Sequence, residues 1–151
     1  MQEPSGEVVK LTVPRATPHL RLIRKVVALT AQQLDFPPED VDKIELAVDE
    51  ACSNAIMHAE PLRAETAPQI HLEVWLSQDA LRVVLKDGGE RFSFEGEGNR
   101  DMNVERQLDS PDRGGLGIYM MRHLMDEVSY EHSPMDGNVI TLTKRLPVAA
   151  T

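Results

Sequence analysis

Residues 45–59 read Glu45-Leu-Ala-Val-Asp49-Glu50-Ala-Cys52-Ser-Asn54-Ala-Ile-Met-His58-Ala. Val41, Ile44, Val48, Ala51 and Ala55 recur at intervals of three and four, which predicts one long helix with an apolar side turned to a core. Glu50, Asn54 and His58, each four apart, form a neighbouring polar stripe. A carboxylate and a carboxamide one turn apart can share a small site. The carboxamide oxygen is a hard ligand suited to Mg2+, and the carboxylate can take a proton from a hydroxyl or water beside that metal. Taken alone, the pair is better explained as a solvated helix face. Its meaning depends on what stands elsewhere in the chain.

Upstream, Asp35-Phe36-Pro37-Pro38-Glu39-Asp40 closes one helix and opens the next, with acids in the first turn where the helix dipole favours them. The long helix is thus expected from near Pro38 to about Ala59, before Pro61. An earlier helix is expected to start at Thr17-Pro18, with a hydroxyl cap and a proline, and to run on the stripe Leu20, Ile23, Val27, Thr30 to about Leu34. Val8 to Val13 mixes β-branched residues and stops at Pro14, which predicts a first strand at a sheet edge. An edge strand can pair with a copy of itself, so a homodimer is open to this chain.

Downstream, 60–68 is a polar connector. Ile70, Leu72, Val74 and Leu76 alternate with polar or amphipathic residues, predicting a strand with one buried face. Ser77-Gln78-Asp79 is a turn, and Leu81 to Leu85 is a second strand, antiparallel to the first because the connection is short. From Asp87 to Gly115 the chain is rich in glycine and polar residues with little apolar periodicity, the texture of a functional lid or of disorder. A helix is expected over about 116–125, with Leu116, Tyr119, Met120, His123 and Leu124 inward. Two strands, 125–130 and 139–144, are expected to meet around Asp136-Gly137.

With 151 residues and 41% hydrophobic composition, the chain should form one core and one domain, 1–151. Its net charge of −9 argues against nucleic acid and anionic membrane as partners, and favours a protein with exposed Lys and Arg. Cys52 is the only cysteine, which excludes an intramolecular disulfide and a Cys/His metal cluster. The N-terminal residues lack a secretion signal and no apolar run is long enough to span a membrane, so a cytoplasmic protein is expected.

Three pieces carry chemistry in chain order: Glu50 and Asn54 on a helix, Asp87-Gly88-Gly89 at a strand end, and Arg113-Gly114-Gly115-Leu116-Gly117 opening a helix. An acid beside glycines accepts hydrogen bonds from an amino group while the missing side chains admit a flat ring. Glycines at a helix N-terminus present backbone amides to phosphate, and Arg113 adds a fixed positive charge. Singly these signals are weak. Together they describe a site for a purine nucleotide with Mg2+.

The three stretches from Glu50 to Ala59, Lys86 to Phe92 and Gly114 to Val128 resemble the Bergerat-type ATPases, the superfamily of gyrase, MutL and the histidine kinases. Within it the chain is most similar to the bacterial anti-sigma-factor serine/threonine kinases of the RsbW-like family, from the first strand to Leu146. The resemblance implies a two-layer α/β (α+β) sandwich with a Bergerat ATP-binding fold: a mixed, mostly antiparallel sheet, three helices on one face, and an ATP lid over about 92–113. It implies that Asn54 holds Mg2+, that Glu50 is the catalytic base, that Asp87 binds the adenine amino group and that Gly89 admits the ring. Arg113, Gly114, Gly115, Leu116 and Gly117 would then line the phosphates of ATP. The implied partners are a STAS-type anti-anti-sigma protein, phosphorylated on serine or threonine, and a sigma factor held away from RNA polymerase. Two positions depart from the pattern. Arg91 stands where many relatives have a second glycine, although Phe92 suits the kinase branch, and Asn138 stands where a threonine is common. His19, His58 and His123 are read as structural, His123 facing the core. A binding module that keeps ATP without transferring phosphate, and a partner-switching kinase unconnected to a sigma factor, are the alternatives.

Overall fold

The computed structural model describes residues 6–57, 68–88, 114–135 and 137–147. Strand β1 (Glu7–Pro14) leads through a 3-10 turn (Thr17–His19) into α1 (Leu20–Gln33) and α2 (Pro38–Met57). Strands β2 (Gln69–Leu76) and β3 (Ala80–Asp87) follow, then α3 (Gly114–Leu124), β4 (Glu127–Ser133) and β5 (Gly137–Arg145). The five strands form one sheet in the order β1-β2-β3-β5-β4, with β1 at the edge as its Pro14 terminus suggested.

Every pairing among the described strands is antiparallel, where a mixed but mostly antiparallel sheet was expected. The reason lies in the placement of β4. A crossover through α3 does return the chain parallel to β3, but β4 lands one strand out, and β5 folds back into the gap antiparallel to both. The parallel strands are never neighbours.

One core lies between the sheet and the helices. Ile70, Leu72, Val74, Leu81, Val83, Leu85, Ile140 and Leu142 line the sheet face, alternating with residues turned outward. Against them α2 buries the stripe seen in the sequence, Val41, Ile44, Val48, Ala51 and Ala55, with Ala47 and Cys52 beside it. The small residues let α2 lie close to its neighbours. Helix α1 adds Ile23, Val27, Ala28 and Ala31, and its buried Thr30 is satisfied by donating its hydroxyl to the carbonyls of Val26 (2.6 Å) and Val27 (2.9 Å).

The start of α1 differs from expectation. Ala16, in extended backbone, is the N-cap residue of the 3-10 turn, and no side chain caps it. Thr17 is already inside the turn with Pro18, so the proline alone sets the entry. At the other end, Asp35 takes a left-handed conformation (φ 63), and the amides of Asp35 and Phe36 close back on the carbonyls of Gln32 (3.0 Å) and Ala31 (3.3 Å). This double closure ends the helix and turns Phe36 into the core.

Helix α3 is rotated from its expected setting. Gly117, Ile118 and Met121 are buried, followed by Met125 just beyond the helix, while Tyr119, Met120 and Leu124 are half-buried. His123 is exposed, packing edge-on against the Tyr119 ring with centroids 4.3 Å apart, and does not face the core. Counting apolar side chains missed Gly117, whose absent side chain brings α3 directly onto α2 and fixes the rotation. Lys144 on β5 donates to the carbonyl of Leu124 (2.9 Å), tying the end of the helix to the sheet.

The β4–β5 hairpin forms where Asp136-Gly137 suggested, with Ser133 opposite Gly137. Gly137 is left-handed (φ 74), and a Cβ there would meet the Asp87 carbonyl oxygen and lie 2.7 Å from the Cα of Gly88. Gly137→Ala therefore meets both backbone strain and a collision with main chain that cannot yield. A loss of about 2–4 kcal/mol in urea unfolding is expected, and an unchanged midpoint would show that the turn can rearrange.

No helix among the described residues is long and apolar enough to cross a membrane. Most of the expected connector over 60–68, together with His58, Gly89, Arg91, Phe92, the lid segment 92–113 and Arg113, lies outside the described residues.

Candidate functional site

Helix α2 carries Glu50, half-buried, and Asn54, which is only 4% exposed. Both face the N-terminal part of α3, whose first turn is formed by Gly114, Gly115, Leu116 and Gly117. A Cβ built on Gly117 would lie 2.5 Å from Oε1 of Glu50 and 3.1 Å from Nδ2 of Asn54. Thus residues 67 positions apart in the chain at their extremes, Glu50 and Gly117, meet at one spot. Only glycine leaves that spot open.

Asp87, 2% exposed, ends β3. Cys52 connects it physically with α2: this buried thiol is pushed far above its ordinary pKa, first by burial and then by the negative charges of Asp49 and Asp87. The thiol therefore stays protonated and unreactive. The same turn of α2 that presents Glu50 and Asn54 accordingly sits over the end of β3. Asp49 is anchored from the other side by Arg24 of α1, at 3.6 Å.

Asn138 was singled out in the sequence as a departure at a position where a threonine is common, and its bond to Asp87 was not foreseen. It stands directly opposite Asp87 in the β3–β5 register, is fully buried, and donates from Nδ2 to Oδ1 of Asp87 (3.1 Å). Its own carbonyl oxygen accepts the hydroxyl of Tyr130 on β4. His132 lies opposite Asn138 on the other side, with Nε2 buried and no partner among the described residues. The signal that could have found them is alternation: Tyr130 and His132 share the parity of Val128, and Asn138 that of Ile140 and Leu142.

The donor set fits Mg2+. The Asn54 carboxamide is buried, and its nitrogen has no partner among the described residues. Which end of an amide is oxygen is an assignment, and turning it puts the oxygen where the unpartnered nitrogen stands. No group of three His, Cys, Asp or Glu among the described residues makes a metal cage. Mg2+ does not need one, since it takes one or two protein oxygens and completes its shell with water and phosphate.

The fold thus brings the carboxylate and carboxamide of α2 against the glycine-opened start of α3. The model of the histidine kinase-like ATPase domain family matches residues 13–144, and the chain belongs to that family. Among its relatives is the serine-protein kinase RsbW of Bacillus velezensis, 27% identical over 145 residues that cover 94% of this chain and 88% of the relative. The same kinase of Bacillus subtilis is 26% identical, and that of one Bacillus licheniformis strain 28% identical, each over the same shares of the two chains.

Proposed function

We propose that the chain is an ATP-dependent serine/threonine protein kinase of the partner-switching kind. It phosphorylates a STAS-type anti-anti-sigma protein and, in its other association, sequesters a sigma factor. The observation that supports this reading is the convergence of Glu50, Asn54 and Gly117, in which a carboxylate and a carboxamide lie together at the start of a helix. A module that merely retained nucleotide would have no use for the carboxylate. The names and near-complete overlap of the relatives support the same reading.

In this reading Asn54 holds Mg2+, and the bound metal supplies neutralising charge to the phosphates. Glu50 accepts the proton of the incoming serine or threonine hydroxyl as the oxygen attacks the terminal phosphorus, and the bond from that phosphorus to the bridging oxygen of ADP breaks. The α3 backbone amides around Gly115 and Gly117, with Arg113, hold the phosphate oxygens. Asp87 accepts from the adenine amino group, and Gly89 admits the ring. The surplus of acidic residues suits the basic, DNA-facing surfaces of a sigma factor, and the edge strand β1 offers main chain to a second copy.

The test is transfer of labelled terminal phosphate from ATP and Mg2+ to STAS-domain proteins of the same genome. Labelling of one of them establishes the kinase and its pathway together. Absence of labelling, in protein that binds ATP, would leave a sequestering module. Asp87→Asn bears on the nucleotide half alone: the ATP dissociation constant is expected to rise roughly tenfold to a hundredfold, the value of a hydrogen bond to a charged acceptor. Calorimetric titration measures it, and an unchanged affinity would remove Asp87 from the adenine contact.

A further inference from the structure

The partners of Asp87 settle the direction of a hydrogen-bond chain. An ionised carboxylate only accepts, so the Asn138 group facing it must be the amino end. The carbonyl end then faces Tyr130, whose hydroxyl must donate. The chain reads Tyr130 O–H to Asn138 Oδ1, and Asn138 Nδ2–H to Asp87 Oδ1 at 3.1 Å, crossing β4, β5 and β3 on the helix-facing side of the sheet. Asp87 and Asn138 are buried at 2% and 0% exposure, so neither swings freely. A threonine hydroxyl at position 138 could rotate to donate or accept. A carboxamide held at both ends has one polarity.

We propose that Asn138, clamped by Tyr130, is a positioning residue that fixes the Asp87 carboxylate as an oriented acceptor for the exocyclic amino group of a purine. Selection for that amino group then depends on the whole chain of three side chains rather than on Asp87 alone. This rests on the nucleotide-binding reading above. Asn138 stabilises the carboxylate by giving it a hydrogen bond and sets its angle through the rigid cross-strand register. Removing the amide takes from Oδ1 of Asp87 the hydrogen bond that helps set its angle toward the ring edge.

The experiment compares ATP with purine riboside triphosphate, which lacks only the 6-amino group, by calorimetric titration of the full chain with Mg2+. The wild type should prefer ATP by roughly tenfold to a hundredfold. In Asn138→Leu, similar in size and without hydrogen-bonding groups, ATP affinity should fall to nearly that of the analogue, while the analogue binds as before. Tyr130→Phe keeps both Asn138 and Asp87 and should lower the preference severalfold; it also serves if Asn138→Leu does not fold. A preference that survives in the folded variants overturns the proposal, and so does an equal weakening of both nucleotides, which is what general damage to the sheet would give. A wild type that binds both nucleotides equally overturns it while leaving nucleotide binding intact. Binding of neither nucleotide removes the reading beneath it as well.

Discussion

Glu50→Gln is expected to lower the rate of phosphate transfer to a protein acceptor by about a hundredfold to ten-thousandfold, the range of a lost general base, with ATP affinity changed by less than about threefold. The glutamine has the shape of the glutamate and keeps its oxygen, so the packing of α2 against α3 is retained. What disappears is the capacity to hold the hydroxyl proton. Because Glu50 is only half-buried and glutamine keeps a carbonyl oxygen at the same place, the melting temperature should stay close to the wild type. Initial rates with saturating ATP, beside a titration of nucleotide binding, separate the two quantities. Transfer at the wild-type rate would assign the proton to another group.

Gly117→Ala should produce a comparable defect by a different route. A helical glycine replaced by alanine ordinarily gains about 0.5–1 kcal/mol. Here the new methyl would arrive 2.5 Å from Oε1 of Glu50 and 3.1 Å from Nδ2 of Asn54. The carboxylate is the far end of a flexible side chain and can move aside, so the fold should tolerate the change with stability near that of the wild type. The displaced carboxylate is no longer where the hydroxyl would sit. A misplacement of about 1 Å costs on the order of a hundredfold in rate, and that loss is the expected result. Thermal melting and the transfer assay together check it: full activity would mean that Glu50 does not work from its observed position.

The two glycines contrast usefully. At Gly117 a substituent meets side-chain ends, so activity should suffer before stability. At Gly137 it meets main chain, so stability should suffer first. A sequence that shows only two Gly letters does not distinguish them. The difference arises from what the fold brings opposite each residue.

Helix α2, the sheet strands and the edge position of β1 were legible because each rests on a local signal: a three-and-four stripe, strict alternation, or a proline at a strand end. The rotation of α3 was not legible, since the residue that sets it has no side chain to enter a periodicity. The all-antiparallel pairing was hidden for a related reason, because it depends on which strand fills the gap beside β3. Asn138 was noticed as unusual at its position, but its bond to Asp87 spans 51 residues and exists only once β5 is in register. Glu50 and Asn54 were visible as a pair on one helix face. Their meeting with Gly117 follows from tertiary packing that no local pattern encodes.

The strand order also bears on how the molecule comes into being. β2 and β3 are joined by a short turn and can zip together early, as can β4 with β5, but the seam between the two hairpins is closed only when distant parts of the chain find one another. Closing a long loop is paid in chain entropy before any contact rewards it, which makes such seams slow to form. Asp87 and Asn138 sit on that seam. On the proposed reading, a half-folded chain with its helices and first hairpin made would hold Glu50 and Asn54 but no oriented acceptor for the base. Recognition of nucleotide would then report completed folding, and in a cell ATP would bind, and by binding protect, only those molecules whose seam has closed.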